Sequence, residues 1–377
     1  AGTSDLKNFT VTDAKVLYPG EAAGDFYGAA VVGTVYGSHV FENIIVTNST
    51  IQGNNKVAGL IAHDGSSTSI KITNCHVANS TIETKNEKDG GNVAGMVGYF
   101  QTNGVVIENS SVKNCVINAI NSSDEGKRAN SQFVGAIHGG KALTIVDCVV
   151  EGNTFNEEGL VNYETPYDGI FVGGAREAAT AIVVINGKPY GAVIINDEYY
   201  KTVEEALAKA KAGDVIYVGA GNFVIPASVT TSPAGTITFE GYGNESVLSF
   251  NSKAGGADGG LNSYADGMDL VFKNLKVVSP NTGSAYSGGF GRAKSVAFEG
   301  CTYEGQFRSM SPVTFTGCTI DPMTSYIYTD YSDATFTGCT FNCSEGKGIQ
   351  VYNDGTSTNT TIKVENCTFT AAKVGNT

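Results

Sequence analysis

The chain has 377 residues, of which 41% are hydrophobic and only 16% charged, enough for two domains with ordinary cores and unlike a disordered chain. The formal net charge is −13 and no stretch holds more than two adjacent basic residues, which excludes the clustered cationic surface that nucleic acid or an anionic membrane needs. No apolar run approaches the roughly 20 residues that span a bilayer.

Gly, Asn, Ser and Thr are abundant, the make-up of short strands joined by tight turns. The chain opens at Ala1 without a signal peptide and is expected to be a mature or trimmed form of an exported protein.

The first half carries two alternating phrases. One reads Val31-Val-Gly-Thr-Val35, Val57-Ala-Gly-Leu-Ile61, Val93-Ala-Gly-Met-Val97, Phe133-Val-Gly-Ala-Ile137 and Phe171-Val-Gly-Gly-Ala175. The other reads Phe41-Glu-Asn-Ile-Ile-Val46, Ile72-Thr-Asn-Cys-His-Val77, Ile107-Glu-Asn-Ser-Ser-Val112 and Ile145-Val-Asp-Cys-Val-Val150. Residues two apart share one face of a strand, so Ile72, Cys75 and Val77 face inward if Asn74 bends the chain. Asn tolerates the left-handed backbone, and stacked Asn side chains form amide ladders. Gly33, Gly59, Gly95, Gly135 and Gly173 read as mid-strand glycines, kept where another backbone comes close. The runs 83–91 and 121–131 read as surface loops.

Residues 182–195 read as a hairpin around Asn186-Gly187. A helix is expected from Thr202 to Ala212, because Thr202 and Glu205 form a capping box and Val203, Ala206, Leu207 and Ala210 form one apolar stripe. A lone amphipathic helix before a solenoid reads as its cap. The division falls near residue 180, giving one repeat domain over 1–180 and a second over 181–377.

The last third repeats a phrase: Phe298-Glu-Gly-Cys-Thr-Tyr303, Phe315-Thr-Gly-Cys-Thr-Ile320, Phe336-Thr-Gly-Cys-Thr-Phe341 and Val364-Glu-Asn-Cys-Thr-Phe369. Recurrence every roughly 17 to 28 residues marks a solenoid. The fold class is therefore all-β, two parallel β-solenoids with a short capping helix between them. Cys301, Cys318, Cys339 and Cys367 occupy one slot, which predicts a buried thiol column rather than disulfides. Cys343 lies outside that slot and is the one to check for a partner. No pattern suggests zinc.

The run Tyr200-Lys-Thr-Val-Glu-Glu-Ala-Leu207, Ala212-Gly-Asp-Val-Ile-Tyr-Val218 and Ala220-Gly-Asn-Phe223 resembles the opening of a right-handed parallel β-helix of the pectate-lyase-like superfamily, over about residues 195–377. The Val57–Ile61 and Val93–Val97 phrases are similar to GLUG-type repeats, over about residues 25–175. Together these resemblances imply an adhesin-like bacterial surface or secreted protein. Fold alone does not give function.

The resemblance also implies where chemistry would sit. The superfamily's hydrolytic types use Asp pairs with a His-Gly neighbour, but residues 181–377 contain no His. Its lyases use Asp-bound calcium with an Arg or Lys base. Counting back from each rung places Tyr264, Asp266, Arg292, Gln306, Arg308, Asp330, Gln350 and Tyr352 on one elongated face. Three readings compete there: a solvated solenoid face, a non-catalytic site for glycan or another surface ligand, and a lyase with Arg292 or Arg308 as base. A purely structural spacer is a further alternative. No cofactor is expected. Asp258, Asp266 and Asp269 could offer oxygens to calcium, but no D-x-D-x-D-G spacing occurs and turn chemistry explains them more simply. His138 has no acidic or Cys partner in its repeat and reads as structural or exposed.

Overall fold

The computed structural model describes the chain except residues 1, 21–24, 86–90, 103, 120–128, 139–140, 158–169, 177–180, 226–234, 251–266, 280–288, 291–292, 310, 324–325, 329–331, 345–347, 352–359 and 372–377. It is an all-β solenoid protein in two compact units, Ala1–Gly191 and Ala192–Thr377. The division falls at Gly191, so the hairpin at Asn186-Gly187 belongs to the first unit and the helix to the second. Strand Ile182–Ile185 pairs in parallel with Ala142–Val146 of the preceding coil, and so extends the first unit's sheet by one strand. A second hairpin, Val193–Ile195 with Glu198–Tyr200, opens the second unit.

In the first unit, one coil runs through Ser69–Thr73, His76–Ala78, Thr81–Thr84, Asn92–Ala94 and Val97–Phe100. Its neighbours pair with it in parallel, so like residues stack along the axis. Phe41, Ile72, Ile107, Ile145 and Ile185 form one inward column. The bend beside it is made as the composition requires: Asn43, Asn74, Asn109 and Asp147 have φ of 54°, 52°, 48° and 51°. The Asn74 amide donates to Asn43 at 2.7 Å, and Asn43 donates to Asn8 at 2.8 Å.

The glycine phrases stack differently from their appearance. Ile61 pairs with Val32 and Val97, and Val97 continues to Val134 and Val172. Gly33, Gly135 and Gly173 therefore share a column with Gly98, whereas Gly59 and Gly95 stack in another, at the corner between strands. A Cβ on Gly59 would lie 2.4 Å from the Gly95 carbonyl oxygen, which shows the close backbone approach that selects glycine.

The second unit is built on a ladder of rings. Phe239, Phe272, Phe298, Phe315 and Phe336 occupy one register position in successive coils. Their centroids are 5.1, 4.9, 4.6 and 5.2 Å apart with nearly parallel planes. The helix is shorter than expected, Val203–Leu207. Its capping box is present: Glu205 N–H donates to Thr202 Oγ1 at 3.1 Å, and Thr202 N–H to Glu205 Oε2 at 3.2 Å. Val203, Ala206 and Leu207 join Val193, Ile216 and Phe223 in the core, so the helix covers the core at the unit's opening.

All eight cysteines are free. Seven occupy the slot after a left-handed bend, and Cys343, outside it, is buried without a disulfide partner. The slot is a hydrogen-bonded position as well as an apolar one. Cys318 Sγ donates toward the carbonyls of Thr316 and Phe298 at 3.5 and 3.4 Å. Cys339 N–H donates to Cys367 Sγ at 3.4 Å. In the first unit Ser110 fills the same role, donating to the Glu108 carbonyl and accepting from Cys75 N–H.

Candidate functional site

A second, four-stranded parallel sheet positions the face picked out by the sequence. It contains Gly289–Phe290, Phe307–Ser309, Ile327–Tyr328 and Ile349–Gln350. Phe307, Ile327 and Ile349 share one register position, with Phe307 and Ile327 fully buried. The next position is occupied by Gly289, Arg308, Tyr328 and Gln350. Arg308 and Gln350 are thus brought into one row, one residue per coil, at the roughly 4.8 Å spacing of adjacent strands.

Sequence reasoning missed the Tyr between them. Tyr326 and Tyr328 are both half-buried, and their rings meet edge-on at 5.7 Å. The alternation Tyr326-Ile327-Tyr328 was the available signal, since residues flanking an inward Ile face outward.

Gln306 does not belong to the face. It is 1% exposed, at a corner where Gly305, Gln306 and Phe307 are all buried, and its carbonyl accepts from the Tyr303 hydroxyl at 3.0 Å. Period-two counting fails there because a corner turns consecutive residues inward. Tyr264, Asp266, Arg292, Asp330 and Tyr352 lie outside the described residues, as does Asp258. Asp269 is engaged in rung-to-rung contacts: it accepts from Ser295 Oγ at 2.6 Å and from Lys294 Nζ at 3.1 Å. The Ser295 bond holds its carboxyl below the usual range, against a smaller opposing effect of burial. Among the described residues no group of three or more His, Cys, Asp or Glu converges as a metal site.

The first unit holds a polar and aromatic cluster that no phrase announced. Rings from three coils, Tyr27, His63 and Tyr99, lie 4.8 and 5.9 Å apart in succession. His138 continues the column, edge-on to Tyr99 at 6.4 Å. Lys56 Nζ sits 4.9 Å from the Tyr27 centroid and 5.4 Å from that of Tyr99, and donates to Asn55 Oδ1 at 2.9 Å. Asp25 accepts from the Tyr27 hydroxyl and the Asn55 amide, each at 2.7 Å. Burial pulls the Asp25 carboxyl up, but these hydrogen bonds hold it below its ordinary range. His63 is 8% exposed and its Nδ1 has no partner. Burial, with the nearby Lys56 charge, pushes its pKa down to about 4, so the ring is neutral at pH 7.

Among the described residues no helix is long and apolar enough to cross a membrane. No curated protein and no solved structure matches the chain. Residues 292–376, which carry the Phe–Cys rungs and the Arg308–Tyr328–Gln350 row, match the family model for a right-handed beta helix region.

Proposed function

We propose that the chain is a non-catalytic, adhesin-like binding protein of a bacterial surface or secretion, and that its second unit holds a glycan along the Arg308–Tyr328–Gln350 row. The observation that carries this reading is the register: one long polar or aromatic residue per coil, in line, beside a contacting pair of tyrosines. A periodic row suits a periodic ligand, because each coil offers the same kind of contact to successive units of a chain. Aromatic faces with planar polar groups are what a sugar-binding groove uses. The resemblances to the pectate-lyase-like superfamily and to GLUG-type repeats support the same class.

The rival reading is a lyase acting on acidic polysaccharide, with Arg308 as base. General acid–base cleavage needs a second group close across the scissile bond. The two readings separate in one experiment, a glycan-array screen with and without calcium, followed by an absorbance assay for unsaturated products. Binding without product, lost in Tyr328→Ala and Gln350→Ala, is the expected result. Unsaturated product would replace this reading with the lyase, and silence in both assays would favour the structural spacer.

A further inference from the structure

A different face of the second unit carries exposed aromatics in a row that leads to a carboxylate. In the sheet that opens this unit, Tyr199 pairs with Ile194, Ile194 with Tyr217, and Tyr217 with Glu240. Residues in register share a face. This one looks to solvent, because Val193, Ile195, Ile216 and Val218, which flank the row, are buried in the core. Tyr199 and Tyr217 are each 41% exposed, with half-buried Ile194 on the strand between them. Two strand spacings separate the tyrosine backbones, about 10 Å. The row thus sets two exposed aromatic residues on either side of an apolar one.

Tyr242, 40% exposed, stands two residues beyond Glu240 on the same strand. Its phenol is pushed up by burial first, then by Tyr217, Tyr199 and Glu240, so those three groups lie within electrostatic reach of Tyr242. Lys273 occupies the register position after Glu240, but its Nζ is bound to Glu299 at 3.0 Å and reaches Glu240 only as a weaker, longer-range attraction.

We propose that Tyr199, Ile194, Tyr217, Glu240 and Tyr242 form a recognition site for a quaternary ammonium headgroup of the choline type. The negative faces of tyrosine rings attract cations, and Glu240 supplies a full opposite charge at the edge of the patch. A lysine ammonium needs three hydrogen-bond acceptors and is strongly hydrated. Ile194 and the tyrosine rings offer methyl groups apolar contact, and the acceptors present, Glu240 and the phenol hydroxyls, are ones a methylated cation does not need to hydrogen-bond. The apolar share of the patch therefore favours the methylated cation. This site is independent of the glycan row, on another sheet of the same unit.

The test is a titration of the full chain, with its tyrosine rings isotopically labelled for NMR, against choline and against choline's neutral tert-butyl analogue. Choline is expected to shift a saturable set of ring resonances, those lost in Tyr199→Leu, Tyr217→Leu and Tyr242→Leu. Each Leu variant retains an apolar strand residue and is expected to weaken binding about 2- to 5-fold, the size of an exposed cation–π contact. Glu240→Gln keeps shape and fold and is also expected to weaken choline binding, while added salt weakens it in the parent protein. Equal binding of the neutral analogue, an unchanged Glu240→Gln, or no saturable shift would each overturn the proposal. Tighter binding of a lysine-rich, unmethylated peptide than of choline would also overturn it, in favour of a protein-docking face.

Discussion

Replacing Cys318 by Ser and by Val tests what the repeated cysteine slot does. Sγ of Cys318 donates toward two carbonyls, Thr316 of its own coil and Phe298 of the preceding one, at 3.5 and 3.4 Å. The Cys301 backbone and the thiols of Cys301 and Cys339 also act on it, and at the equivalent slot two coils on, Cys339 N–H donates to Cys367 Sγ at 3.4 Å. If the slot were only apolar filling, Val would be the better substitute. If it satisfies the backbone between coils, Ser is better, as the first unit shows: Ser110 and Ser80 occupy equivalent slots, each donating to the carbonyl two residues back at 2.8 Å. Cys318→Ser exchanges weak thiol bonds for hydroxyl bonds and is expected to change stability by about 1 kcal/mol or less. Cys318→Val strands a buried N–H and is expected to cost about 1–3 kcal/mol. A solenoid's stability is a sum over neighbouring coils, so global melting blurs the effect. The sharper assay is hydrogen exchange at the Cys301 amide, expected to be protected in the parent and Ser forms and faster in the Val form. Equal protection in the Val form, or a Val form more stable than the Ser form, would refute the argument.

Two further perturbations follow from the same geometry. His63 has a folded pKa of about 4 against a reference value of 6.5, so on acidification the unfolded chain takes up the proton first; the first unit should lose stability as pH falls from about 6.5 toward 4. Measured as the urea midpoint across that range, the slope should flatten in His63→Phe, and an unchanged slope would assign the acid sensitivity to other groups. Phe315 lies between Phe298 at 4.6 Å and Phe336 at 5.2 Å, so Phe315→Ala should cost about 3–5 kcal/mol and open exchange at the coils on both sides. Exchange confined to residues far from those coils would mean that the ring ladder is not what couples them.

What was legible in the sequence, and what was not, follows from where the backbone makes demands. A left-handed bend admits few residues, so Asn74, Asn109, Gly300, Gly317 and Gly338 leave the same mark at every coil, and the inward Phe and Cys beside them stay in phase with it. The Thr202–Glu205 capping box was readable for the same reason, since it satisfies specific N–H groups. The helix's length was not, because the segment after Leu207 has good propensity but tightens, with Lys209 and Ala210 bonding three residues back to Ala206 and Leu207 instead of continuing the α-helix. The glycine phrases misled on register: a corner (Gly59, Gly95) and a strand position (Gly33, Gly98) both need a small residue, and similar words such as Val31–Val35 and Val57–Ile61 stack three residues out of phase.

The candidate site was the least legible part, and for a physical reason. Its row lies on the stretch of each coil that carries no bend and no repeated core phrase. That position pairs in register from coil to coil, and its residue differs each time: Arg308, then Tyr328, then Gln350. A position whose backbone tolerates any side chain is where a solenoid can change its ligand without disturbing its coils. The Tyr199–Tyr217–Glu240 patch has the same property, since it stands outside a row whose inward neighbours, Ile216 and Phe239, are fixed by the core. Substitution of Tyr328 or Tyr217 should therefore change binding while leaving the hydrogen exchange of adjacent core amides close to the parent's. A binding loss accompanied by exchange opening across the coil would place these residues among the fold's supports instead.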